Sequence, residues 1–125
     1  AKLDAELEPS TLRLHMEEVL AKRGELGSGK YNSLNQTLYA YARLEVSLAP
    51  ELRRFFIRDF DARLLHFDNP EREVATALWS FARLGMEPAT QTMERVEGVI
   101  AERLDAFSPQ GIFNTLWAFT AFAFR

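Results

Sequence analysis

The chain has 125 residues, enough for one hydrophobic core, and its 47% hydrophobic and 12% aromatic content fits an ordered domain. It contains no cysteine, which excludes a disulfide framework, a zinc ribbon and a thiol nucleophile. A net charge of −3 and a pI of about 5.4 argue against a strongly basic nucleic-acid clamp but leave room for a local basic stripe.

No stretch approaches the roughly 18 consecutive apolar residues that span a bilayer, so no membrane partner is expected. Residues 1–8 are too acidic for a transit peptide and lack the apolar block of a signal peptide. The chain also starts without Met, so it reads as an excerpt of a longer protein, with any targeting segment outside it.

The first expected helix runs from Glu8 to about Arg23, with Leu12, Met16, Val19 and Leu20 at helical spacing. Gly24, Gly27, Ser28 and Gly29 mark a connection. A second helix is expected from about Tyr31 to Leu44, with Leu34, Leu38, Tyr41 and Ala42 along one side. A third follows from Pro50 to about Leu65, carrying Leu52, Phe55, Phe56, Phe60 and Leu64.

Asn69-Pro70-Glu71 is a helix-start signal: an Asn cap, Pro at the first position and an acid near the positive end of the helix dipole. That helix uses Val74, Leu78, Phe81 and Ala82 and stops at Gly85. The next, Pro88 to about Leu104, aligns Met93, Val96, Ile100 and Leu104. Ser108-Pro109-Gln110 then starts a last helix with Ile112, Leu116 and Phe119. Strand signals are absent.

Three of these helices carry versions of one stretch: residues 37–44, 77–84 and 115–122. Each has a small residue, Leu, a large aromatic, Ala or Ser, a second aromatic and another small residue. Leu38, Leu78 and Leu116 lie 40 and 38 residues apart; Pro9, Pro50 and Pro88 lie 41 and 38 apart. Self-similarity at such a period indicates a stacked repeat. The expected architecture is all-α: an α-solenoid of antiparallel helical hairpins with a period of about 38–40 residues. Each unit holds an aromatic-rich helix A and a Pro-started helix B. The division is a half-unit at 8–29, units at 30–69 and 70–108, and a half-unit at 109–125, so both ends read as cut from a longer array.

Residues 69–85 and 108–120, with their repeated Leu-Trp-Ala/Ser-Phe core, resemble octotricopeptide repeats, helical hairpins of organellar gene-expression factors related to arrays in RAP-domain proteins. The resemblance spans nearly the whole chain. It implies a non-catalytic protein that binds single-stranded RNA or ribosomal RNA in a mitochondrion or chloroplast, for transcript maturation, stability, translation or ribosomal RNA assembly. The alternative is a protein-binding or structural scaffold within a ribonucleoprotein assembly such as a mitochondrial ribosome, which the acidic balance favours. Departures are Tyr39 in place of Trp, no Gly before Pro50, and Thr120 and Phe122 where the other copies have Ala and Leu.

Repeat proteins that read one base per unit place polar side chains on one face of successive helices. Gln36, Thr76 and Asn114, two residues before each repeated Leu, are polar in every copy and differ between copies, as base-reading positions should. Ala40, Ser80 and Ala118, one turn later, are small enough to leave room for a base, and Ser33, Glu73 and Gly111 flank the same surface. Arg43, Arg83, Arg53, Arg54, Arg58 and Lys30 are candidate phosphate contacts, with ordinary ion pairing as the competing role. Tyr39, Trp79 and Trp117 can stack on bases, but as a repeated aromatic column they are read first as packing between hairpins. No catalytic, metal or cofactor site is expected: His15 and His66 are isolated, and Asp59 and Asp61 are too close to share a helix face. Gly27-Ser28-Gly29-Lys30 lacks the rest of a phosphate-loop pattern and reads as a linker.

Overall fold

The computed structural model describes residues 8–23, 33–67 and 69–123. Lys30 and the glycine-rich connection lie outside them. The described residues form six α-helices and no strand: α1 (Pro9–Ala21), α2 (Ser33–Leu44), α3 (Pro50–Arg63), α4 (Pro70–Arg83), α5 (Thr90–Arg103) and α6 (Pro109–Ala123). Short 3-10 turns, Leu64–His66 and Leu104–Ala106, extend α3 and α5. None of these helices is long and apolar enough to cross a membrane.

The aromatic-rich helices lie side by side, with α4 between α2 and α6. Their stripes of every third or fourth residue turn into the core: Leu34, Leu38 and Tyr41 on α2, and Val74, Leu78 and Phe81 on α4. Facing them are Leu52, Phe56 and Phe60 of α3, and Val96 and Val99 of α5. Phe60 meets Phe81 edge-on at 5.4 Å between ring centroids and also touches Phe67, so α3 packs against α4 as well as α2.

The prolines mark helix starts less regularly than their spacing suggests. Pro9 and Pro50 occupy the first turns of α1 and α3, but α5 begins at Thr90, two residues past Pro88. Ala49 and Ala89 cap the two helices in the same extended conformation, 40 residues apart, and Phe67 and Phe107 close the two 3-10 turns, also 40 apart. Pro88 therefore takes the place of Leu48, and both are buried in the turn before the helix. Its fixed φ suits the extended approach as well as it suits a first turn.

Helices α2 and α4 end in one motif. After α4, Gly85 takes φ +69°, its N–H donates to Ala82 O, and Met86 N–H donates to Phe81 O at 2.8 Å. This is the Schellman closure, which favours glycine at the left-handed position. After α2, Glu45 holds that position with φ +56°, and Val46 N–H reaches back to Tyr41 O. A side chain there costs about 1–2 kcal/mol. Glu45 also ion-pairs with Arg83, but both partners are half-exposed, where such a pair contributes about 0–1 kcal/mol. Glu45→Gly is expected to raise the stability measured by urea unfolding slightly, by about 0.5 kcal/mol net; an equal or larger loss would show the ion pair to be the stronger term.

At the other end, α1 lies against α2. Val19 is buried, with Leu12, Met16 and Leu20 partly so, and His15 Nδ1 is 2.7 Å from the Tyr41 hydroxyl. Burial pushes the Tyr41 phenol up to about 12 from its ordinary 10.0. The unfolded chain ionises Tyr41 first, so the stability tied to the neutral phenol is intact below pH 10 and is lost as pH rises toward 12. Stability measured across that window should fall for the parent chain and fall less for Tyr41→Phe.

Helix α6 departs from its counterparts. Ile112, Leu116 and Phe119 occupy the stripe that is buried in α2 and α4, yet Leu116 is 62% exposed, and Ile112 and Phe119 are half-buried. The buried residues of α6 are instead Gly111, Thr115 and Ala118, one strip that faces α4. Leu104, expected on the buried face of α5, is also exposed.

Candidate nucleic-acid interface

Helix start signals fix how α4 and α6 meet. The Asn69 side chain accepts from Arg72 N–H and caps α4; Ser108 Oγ accepts from Gly111 N–H and caps α6. Glu71 then bridges the two helices, its carboxylate accepting from Ser108 N–H at 2.9 Å. Gly111 permits this approach, since a Cβ there would fall 1.7 Å from the Glu71 carboxylate. Between the helices lies an open groove of about 400 Å³.

Two of the three predicted reading positions, Thr76 and Asn114, line this groove with Trp79 and Trp117. Gln36 is exposed on α2, one turn before Tyr39, which reaches the edge of the groove. The aromatic column is exposed at Tyr39 and Trp117 but half-buried at Trp79, where it packs between hairpins. Trp117 is 59% exposed and Tyr39 is 38% exposed, although the Tyr39 and Trp79 rings do touch, with centroids 5.4 Å apart. The second aromatic column, Tyr41 and Phe81, is the buried one.

Ala118 lines the groove, whereas Ser80 is not among its lining residues. Both are buried on the side of their helix that faces the preceding aromatic-rich helix, where a small side chain lets the backbones approach. Ser80 Oγ is satisfied by Thr76 O at 2.7 Å. Ala40 is exposed. Of the flanking positions, Glu73 and Gly111 lie on that same strip, the Glu73 carbonyl accepting from Asn35, while the Ser33 side chain lies outside what is described.

The candidate phosphate contacts separate into two groups. Arg43 lies over the Tyr39 ring and Arg83 over the Trp79 ring, at 5.8 and 6.0 Å from the centroids, both exposed beside the aromatic row. Arg53 donates to Leu84 O and, at 2.8 Å, to Gly85 O, so it closes the end of α4. Arg54 and Arg58 are exposed on α3, about half a turn from the buried Leu52 and Phe56, hence away from the groove. The sequence reading missed Arg72, which is exposed and lines the groove. The signal was present: on a helical wheel Arg72, Thr76, Trp79 and Arg83 fall within an arc of roughly 60°.

Asp59 and Asp61 serve different partners. Burial pushes the Asp59 carboxyl up, and its ion pair with Arg63 at 3.1 Å opposes that shift. Asp61 accepts from Thr92 Oγ1 and Arg95 and ties α3 to α5. Among the described residues no three His, Asp or Glu side chains gather into a metal-binding group. No family model, curated protein or solved structure matches the chain.

Proposed function

We propose that the chain is a segment of an α-solenoid that binds single-stranded RNA without catalysis, along the face shared by α2, α4 and α6. The observation that carries this reading is the groove between α4 and α6. It joins variable polar residues at equivalent positions, Thr76 and Asn114, to the aromatic rings of Trp79 and Trp117. Stacking rings beside hydrogen-bonding groups are what recognition of unpaired bases requires, since bases present flat faces and polar edges. The matching caps at Ala49 and Ala89 and the shared closures at Glu45 and Gly85 support a repeating unit. Arg43 and Arg72 supply positive charge beside the row on an acidic chain, Arg83 being paired with Glu45, and the resemblance to octotricopeptide repeats supports a role in mitochondrial or chloroplast gene expression.

A scaffold role within a ribonucleoprotein assembly is the second reading, favoured by the exposed Phe113 and Leu116 of α6. Binding to a randomised single-stranded RNA pool at low and moderate salt separates the two. RNA retention that weakens with salt supports the first reading, because contacts to phosphate release counterions. No retention at low salt favours the scaffold.

A further inference from the structure

The two aromatic-rich helices that flank the groove present one three-residue face each. On α4 it is Arg72, Thr76 and Trp79; on α6 it is Gln110, Asn114 and Trp117. The spacing i, i+4, i+7 keeps each trio on a single strip, and all six residues line the same groove. The aromatic member is constant between the helices, whereas both polar members change. That division suits a ring that accepts any base face and a pair that tells one base edge from another.

The chemistry of the two pairs differs in kind. On α6, Gln110 Nε2 donates to Asn114 Oδ1 at 2.9 Å, so the amides act as a unit. The groups left over include the Asn114 amide N–H and the Gln110 carbonyl, a donor and an acceptor side by side. Adenine offers the complement, an amino donor beside a ring-nitrogen acceptor. On α4, Arg72 brings a fork of donors and Thr76 a hydroxyl. Guanine, with two adjacent acceptors at O6 and N7, is the complement of such a fork.

We infer that each of these helices takes one nucleobase on its Trp ring and reads that base's edge with two polar residues, one and two turns before the ring. Arg72 with Thr76 selects guanine, and Gln110 with Asn114 selects adenine. This rests on the RNA-binding reading above and adds to it two readers, Arg72 and Gln110, and the identity of two adjacent bases.

Trp79 and Trp117 are the chain's two tryptophans, so its indole emission reports on the groove. The test uses the full chain with end-labelled nine-nucleotide single-stranded RNAs of uridine, carrying at the centre no purine, guanine next to adenine in either order, or two adenines. Binding is followed by anisotropy of the label and, in parallel, by tryptophan emission. One guanine–adenine order should bind about tenfold or more tightly than oligouridine and quench the emission. Arg72→Gln with Thr76→Asn, which copies the α6 pair onto α4, should transfer the preference to the two-adenine RNA. Arg72→Lys keeps the charge but loses the fork, so it should erase the guanine preference. RNA that binds with unaltered emission, or a base preference untouched by both variants, would overturn this inference and leave the RNA reading standing. No binding of any of these RNAs at low salt, by either readout, overturns both.

Discussion

Phe81→Ala should cost about 3–5 kcal/mol of stability, the largest loss expected from any single truncation in the chain. Its ring is fully buried and meets Phe60 edge-on, and its carbonyl accepts the hydrogen bond that closes the end of α4. Removing the ring opens a cavity where α3 meets α4, and the close packing around it limits collapse into the space. Native stabilities of about 5–15 kcal/mol leave little margin for such a loss. Urea unfolding followed by far-UV circular dichroism measures it, and Phe81→Leu, which keeps most of the volume, should recover more than half. A loss below about 1 kcal/mol for Phe81→Ala would mean that the ring does not hold the two helices together.

Trp117→Ala should have the largest effect on binding with the least effect on folding. A base stacked on an aromatic side chain contributes about 1–3 kcal/mol, or roughly fivefold to 150-fold in affinity. Trp117 is mostly exposed and touches Phe113, its parallel neighbour at 6.5 Å on the same helix, so little of the core depends on it. Affinity for single-stranded RNA and the urea midpoint, taken on the same preparation, separate the two roles. Weaker binding at an unchanged midpoint identifies a stacking platform. An unchanged affinity would remove the aromatic row from the interface and leave the arginines to account for any RNA bound.

The helices were legible because their apolar positions recur at 3.6-residue spacing: Leu34, Leu38 and Tyr41 on α2 and Leu52, Phe56 and Phe60 on α3 all reach the core. The shared sequence context of Leu38 and Leu78 matched their burial. It misled at Leu116, because a side chain's burial depends on what packs over it, and α6 has no described helix over the stripe that α3 and α5 cover elsewhere. Proline misled at Pro88, since a residue with φ fixed near −65° fits both the first turn of a helix and the extended residues before it. The aromatic column was hardest. Trp79 follows the buried Leu78 directly, and apolar character alone does not say that it turns about 100° away from the core toward Thr76. The small residues Ser80 and Ala118 were open to either reading until the neighbouring helix was placed beside them.

The polar ties between helices also bear on how the chain finds its structure. His15 to Tyr41, Arg53 to Gly85, Thr92 to Asp61, Arg95 to Asp61, Glu71 to Ser108 and Glu45 to Arg83 join positions 26 to 38 residues apart. None of them needs the two ends of the chain to meet. The entropy of closing a loop rises only with the logarithm of its length, so each tie carries a similar, modest penalty. The local contacts that favour rapid folding are those within the helices, with a nucleus able to form around Phe60 and Phe81 and grow outward a helix at a time. Unfolding would then retrace that order, with α1 and α6 exchanging their amide hydrogens before α3 and α4.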